Sequence, residues 1–77
     1  MMWTVEVTDT FGGEANYSWV RRSEVSAPDG ATDRQLARLF KDAGGFTGSR
    51  GRATWHGDTY EFRPYGQCVV LFATLHS

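Results

Sequence analysis

The chain has 77 residues, of which 40% are hydrophobic and 14% aromatic, with a formal net charge of −1 and a single cysteine. This length predicts one domain over residues 1–77, because two folded units would each be too small to bury a core. The composition is too apolar for a disordered chain, no apolar run approaches the roughly 20 residues of a membrane span, and one cysteine excludes an internal disulfide. With no secretory signal pattern either, we expect a compact cytoplasmic protein.

The first part of the chain predicts two strands. Residues 2–8 alternate between apolar and polar side chains, which is the period-2 pattern of a half-buried strand. A glycine-containing polar stretch over residues 9–16 predicts a loop, and β-forming residues resume over 17–23. We expect the second strand to be a hairpin partner of the first.

A helix is predicted over residues 33–43. Thr32 and Gln35 have the spacing of a capping box, in which the hydroxyl and the amide each satisfy an exposed backbone N–H. Apolar residues recur along one stripe of this segment, and two glycines at 44–45 favour a left-handed stop. The opposite side carries three basic residues about one turn apart: Arg34, Arg38 and Lys41.

The last part of the chain predicts a hairpin and a final strand. If residues 57–58 form a two-residue turn, Trp55 faces Tyr60, and apolar and polar side chains of both strands sort onto opposite faces. The strand over residues 67–74 is apolar on both faces and is therefore expected to be central. The order ββαβββ predicts an α+β fold, with an antiparallel sheet of about five strands and one helix packed on one face.

The residues form no catalytic or metal-binding pattern. Nucleophilic catalysis would need Cys68 beside an oriented base, and His56 and His76 are the only imidazoles. His56 and Asp58 flank a turn, but zinc sites use three or four ligands. We therefore expect no enzymatic activity, no catalytic residue, no metal and no cofactor. Cys68 is expected to be structural or to lie at an interface, where it could link two chains of a homodimer under oxidising conditions.

Basic and aromatic residues indicate one functional alternative, a small nucleic-acid-binding module. Arg50 and Arg52 lie in a glycine-rich stretch beside Trp55 and Tyr60, and arginines with aromatics can hold phosphates and stack bases. The pI of about 6.0 argues against a general nucleic-acid binder. The module would use the basic helix face and the Arg-Gly stretch: Arg34, Arg38, Lys41, Arg50 and Arg52.

A protein-binding surface is the other functional class that the residues allow. The chain has eleven aromatics and one helix to cover the sheet, so some aromatics could stay exposed and anchor a partner. The candidates are Trp3, Tyr17 and Trp19, unless all three line the core. If the first or last strand lies at a sheet edge, two copies could also pair. The predicted partner-binding set combines the first loop with the start of the second strand: Asp9, Glu14, Tyr17, Trp19, Arg21 and Arg22.

The run DTFGGEANYSWVRR at residues 9–22, together with RPYGQC at residues 63–68, resembles a group of small proteins encoded by bacteriophages and mobile elements of proteobacteria. This resemblance covers nearly the whole chain and brings no catalytic residues. In size, single α+β domain and lack of enzymatic motifs, the chain is also similar in type to the anti-CRISPR proteins, many of which bind an effector complex and block its access to DNA. The resemblance implies a non-enzymatic inhibitor that binds a host protein or a CRISPR effector complex.

Overall fold

Five strands and one helix follow one another in a computed structural model of the protein, which describes residues 1–9 and 19–76. The elements are β1 (Met2–Asp9), β2 (Trp19–Ser26), α1 (Asp33–Gly44), β3 (Gly51–His56), β4 (Thr59–Pro64) and β5 (Val69–Leu75). The strands form one sheet in which every pairing is antiparallel, and α1 packs on one of its faces. The predicted α+β fold is confirmed.

The strand order in the sheet is β2-β1-β5-β4-β3. β5 is the middle strand, which explains why it is apolar on both faces and confirms its predicted central position. β1 pairs with β2 as the predicted hairpin partner and also with β5. The first and last strands therefore both lie inside the described sheet. The condition under which two copies would pair through one of these strands is therefore absent, because the edges of the described sheet are β2 and β3.

The β3–β4 hairpin has the register that the sequence predicted. Trp55 pairs with Tyr60 and Ala53 with Phe62, and the turn between the strands includes Gly57 at a φ of 60°. A positive φ at a central turn position matches the twist of the flanking strands and costs glycine little. The apolar pairs of the hairpin consequently face α1, and the polar pairs occupy the opposite face of the sheet.

Helix α1 is held at both ends by local contacts. The backbone N–H of Gln35 donates to Thr32 Oγ1 over 3.2 Å, and Thr32 N–H donates to Gln35 Oε1 over 2.9 Å, which confirms the capping box. At the other end, Gly45 adopts a left-handed φ of 83°. The helix continues through Gly44, one residue beyond the prediction. A β-carbon at Gly44 would collide with the Leu71 side chain, so glycine lets the helix approach β5 closely.

An aromatic cluster fills the space between α1 and the sheet. The Phe40 ring lies 4.8 Å from Trp3 and 5.6 Å from Tyr60, and Trp55 lies 5.2 Å from Tyr60, as measured between ring centroids. Phe40 is fully buried and Trp3 is 5% exposed. The expectation that Trp3 could anchor a partner on the surface is therefore wrong. Its position in the apolar alternation of β1 directs it under the helix.

Candidate functional site

A groove of about 740 Å³ runs between α1, the connection that follows it and the β3–β4 hairpin. It exists because α1 packs towards β2, β1 and β5, which leaves the helix-facing side of the hairpin partly uncovered. Ala53 on β3 is accordingly exposed, although it belongs to the apolar face of its strand. We call this feature the basic groove and define it by the lining residues that the argument uses: Arg34, Arg38, Lys41, Arg50, Tyr60, Phe62 and Tyr65.

One wall of the basic groove is the basic side of α1. Arg34 and Arg38 are both exposed and lie one turn apart, which places them about 6 Å from each other along the helix axis. Among residues 1–9 and 19–76, no carboxylate lies within ion-pair distance of either guanidinium. Both arginines therefore keep their charge available for an anion from outside the described part of the chain.

Lys41 lies in the same wall but has a different environment. Its ammonium group donates a hydrogen bond to the Ser49 carbonyl oxygen over 2.7 Å and lies 4.8 Å from the centroid of the Phe62 ring. These contacts fix the connection after α1 against the end of the helix, with both a charged hydrogen bond and a cation–π contact. Lys41 thus holds the wall in place while two of its three donors remain for other contacts.

Arg50 and Tyr65 form the far rim of the basic groove. The Tyr65 backbone N–H donates to the Arg50 carbonyl oxygen over 3.0 Å, and the Tyr65 side chain is 70% exposed. Glycine is required at the neighbouring position 51, because the backbone of β4 approaches it closely. A β-carbon there would collide with the Arg63 carbonyl oxygen and lie 2.7 Å from Pro64 Cα. The rim is therefore positioned by backbone contacts between the start of β3 and the end of β4.

The electrostatic character of the basic groove differs from that of the whole chain. Its lining contains four cations and one carboxylate, a net charge of +3, whereas the chain carries −1. The carboxylate is that of Asp42, whose Oδ1 accepts a hydrogen bond from the Thr47 hydroxyl over 2.8 Å. Cations gathered along a groove in low-dielectric surroundings focus the field and attract anions even when the overall charge is slightly negative.

The floor of the basic groove is aromatic. Tyr60 and Phe62 are almost completely buried, yet both contribute to the lining. Burial raises the pKa of the Tyr60 phenol above its ordinary value of 10.0, so this hydroxyl stays protonated at neutral pH. The groove therefore combines cationic walls with an uncharged, largely apolar floor.

The structure brings together four of the five residues predicted for nucleic-acid binding: Arg34, Arg38, Lys41 and Arg50. Arg52 does not join them. It pairs with Arg63 across the hairpin and lies on the opposite face of the sheet, since successive side chains of a strand alternate. Tyr65 is a groove residue that the sequence reasoning did not select. The available signal was its place in a Pro-Tyr-Gly turn, which favours exposure.

The predicted partner-binding set is only partly described. Glu14 and Tyr17 lie outside the described residues, as do the side chains of Asp9 and Trp19.

The two arginines of that set are both exposed and lie on opposite faces of the sheet. Arg21 lies against the end of α1, where a β-carbon added at Gly45 would come within 2.8 Å of Arg21 Nη1. A cation at a helix C-terminus is favourable, so Arg21 has a structural contribution. Arg22 is paired across the strands with Glu6. The described part of the set does not form one continuous surface.

The remaining candidate side chains make local contacts or none. Cys68 is an exposed free cysteine that precedes β5, because the strand predicted over residues 67–74 begins at Val69. His56 Nε2 lies 3.4 Å from Glu61 Oε1, and Arg63 Nε donates to Glu61 Oε2 over 2.8 Å. Within the described ranges, no three His, Cys, Asp or Glu side chains are grouped as a metal site would require.

Comparison with known protein families, with curated proteins and with solved structures finds no match to this chain. No helix within residues 1–9 and 19–76 combines the length and the apolar composition needed to cross a membrane.

Proposed function

We propose that the protein is a non-enzymatic binding module whose basic groove holds the phosphate backbone of a nucleic acid. The observation that carries the proposal is the convergence of four cations on one groove in a chain of net charge −1. An even spread of the eight basic residues over the surface would not place four of them in one groove. Neutralisation of phosphates by such cations releases counterions and supplies sequence-independent affinity.

The chemistry of the groove fits phosphates in particular. Three of its four cations are arginines, whose planar guanidinium groups form paired hydrogen bonds with phosphate oxygens. Arg34 and Arg38 are a helical turn apart and could contact separate phosphates of one strand. The groove is also open to solvent and not an enclosed cavity, which suits a polymer that continues beyond it.

The direct test is fluorescence anisotropy with labelled oligonucleotides of about 12 nucleotides, within the range of small single-domain binding sites. We expect binding at low salt that weakens as salt rises, with a slope of log Kobs against log salt of about −2 to −3 for three or four phosphate contacts. The double variant Arg34→Glu/Arg38→Glu should lower the affinity by about tenfold or more, since it reverses two charges in the wall.

The matched control is Arg22→Glu/Arg52→Glu, which changes the net charge equally on the opposite face of the sheet. The control should change affinity only by about twofold, as expected from a distant and screened charge change. Equal losses in both double variants would show a nonspecific charge effect and contradict the groove proposal. Absence of salt-dependent binding in the wild type would also contradict it.

A second candidate function is inhibition of a host protein or nucleoprotein complex, with an anti-CRISPR activity against a CRISPR effector complex in the cytoplasm of a bacterial host as the specific hypothesis. The observation that favours it is the position of β2 at a sheet edge, with residues 21–24 all exposed. An edge strand can accept a partner strand or present side chains from both faces.

The inhibitor hypothesis is tested by affinity capture from host lysate, with and without nuclease treatment. Recovery of effector subunits that survives nuclease would support it. Recovery that disappears with nuclease would favour the nucleic-acid module instead. A homodimer linked through Cys68 is tested on non-reducing gels of the oxidised protein, where a wild type that runs only as a monomer would refute this role of the cysteine.

A further inference from the structure

We infer that the basic groove selects single-stranded over duplex nucleic acid and that one base of the strand stacks on Tyr65. The inference rests on the proposed function and deepens it. The inference names the form of nucleic acid that binds and the residue by which the groove distinguishes a nucleic acid from other polyanions.

Tyr65 is unusual among the large apolar side chains of the described residues. It is 70% exposed, whereas the other exposed large side chains, Met1 and Met2, lie at the start of the chain. Its backbone is held by the hydrogen bond to Arg50 and followed by Gly66 at a φ of 76°. An aromatic ring is therefore presented to solvent on a well-defined turn, at the rim of the same groove that gathers the cations.

A groove that has arginines and an exposed aromatic residue on one rim matches the chemistry of a single strand. In a single strand, a base can turn its face to an aromatic ring while the neighbouring phosphate meets a cation, and such stacking tolerates any base. In a duplex, the base faces are covered by their neighbours, and a protein meets only phosphates, sugars and base edges. Arg50 and Tyr65 lie next to each other on the rim, as this combination requires.

The floor of the groove supports the same preference. Between the cationic walls the exposed side chain is the apolar Ala53, and the rings of Tyr60 and Phe62 lie almost completely buried beneath the floor. A flexible strand can place bases over this floor, whereas a stiff duplex has its charged backbone outermost. The basic side of α1 also forms a wall of the concavity instead of an isolated projecting helix that could enter a major groove. An acidic protein segment would satisfy the cations but would bring no base to the ring.

The test compares a thymidine oligonucleotide of about 12 residues with the same sequence as a duplex and with a strand of equal length that lacks bases. Wild type, Tyr65→Ala and Tyr65→Phe are measured by anisotropy at two salt concentrations. We expect the wild type to bind the single strand more tightly than the other two probes. Tyr65→Ala should weaken single-strand binding about five- to 100-fold, the range for loss of one stacked base, and Tyr65→Phe should restore it.

The probe without bases provides the discriminating comparison. Tyr65→Ala should leave its binding unchanged, and should leave the salt dependence for every probe unchanged, because the ring contacts a base and not a phosphate. Equal affinity for single strand and duplex, or an unaltered affinity in Tyr65→Ala, would overturn the inference while salt-dependent binding kept the proposed function intact. Absence of wild-type binding to every probe would overturn both the inference and the proposed function. Tighter binding of polyglutamate than of the oligonucleotide would overturn both in favour of an acidic protein partner.

Discussion

The two faces of the sheet use arginine in different ways. On the face opposite α1, Arg63 and His56 both lie within ion-pair distance of the Glu61 carboxylate. On the α1 side, Arg34 and Arg38 have no carboxylate partner among residues 1–9 and 19–76. The difference teaches that the number of basic residues is a poor guide to an anion site. Arg22 and Arg52 on the opposite face also have no carboxylate within ion-pair distance among the described residues, so the informative property of the α1 side is that four cations line one groove.

The faces also differ in how they are covered. On the α1 side, the aromatic cluster around Phe40 is sealed by the helix, and the basic groove opens only at its margin. On the opposite face, Val70 is fully buried, but Phe72 is partly exposed between Glu6 and Glu61 on the neighbouring strands. Stability should therefore depend mainly on the α1 side, and so should anion binding, but through different residues.

The largest expected effect is a difference between the two faces in their contribution to the free energy of unfolding. Phe40→Ala should lower the free energy of unfolding by about 3–5 kcal/mol, because it removes a fully buried ring. Phe72→Ala, the matched change on the opposite face, should cost only about 1–2 kcal/mol because its ring is partly exposed. Urea unfolding followed by tryptophan fluorescence measures both. Equal costs would contradict the asymmetry between the faces.

The next effect concerns the rim of the basic groove. Gly51→Ala should cost about 1–3 kcal/mol, because the new methyl group meets backbone atoms of Arg63 and Pro64 that cannot move aside independently. Gly30→Ala is the comparison, since no atom lies within 4 Å of the added carbon there and only its φ of 80° is unfavourable. Urea midpoints would show the larger loss at Gly51. A smaller loss at Gly51 than at Gly30 would refute the close approach.

The third prediction is that the cations of the groove differ in their contribution to stability, because only some of them make contacts within the fold. Lys41→Met should cost about 1–2 kcal/mol, because it removes the hydrogen bond to Ser49 and the contact with Phe62. Arg38→Met, the same substitution type one turn earlier, should stay within about 0.5 kcal/mol of wild type. Thermal denaturation should detect the difference as several degrees in Tm for a domain of this size. Indistinguishable Tm values would remove the structural role of Lys41.

The smallest expected effect is a pH dependence from the floor of the groove. Burial raises the pKa of Tyr60 above 10.0, so the folded protein holds this proton in a range where the unfolded chain releases it. Stability should therefore fall as pH rises above about 10. Tyr60→Phe should flatten this alkaline decline, whereas Tyr65→Phe at an exposed site should retain it. Parallel declines in wild type and Tyr60→Phe, measured by urea unfolding, would contradict the assignment.

The fold was predictable where its determinants are local. The capping box at Thr32 and Gln35 and the hairpin register at Trp55 and Tyr60 depend on spacing over a few residues, and both are present as predicted. Strand alternation also places Arg52 on the face opposite Ala53 and Trp55, so the sequence contained the information that removes Arg52 from the helix-covered side of the hairpin.

The groove was not predictable in the same way. It depends on how far α1 lies to one side of the sheet, and the period of an amphipathic helix specifies which face packs but not its lateral position. The same limit explains Trp3, because alternation places it on the apolar face of β1 but does not specify that α1 covers this end of the strand. Tyr65 was assignable to a turn, but its place beside the cations arises from the pairing of β3 with β4.

The most direct test of the central claim is an amide chemical-shift titration of the ¹⁵N-labelled protein with a thymidine oligonucleotide of about 12 residues. If the unpaired cations on the α1 side form the binding site, shift changes should concentrate at residues 34–41, 49–51 and 65. They should be absent from Arg22, Arg52 and Glu61 on the opposite face. Changes confined to that face or to β2, or no change at low salt, would contradict the account.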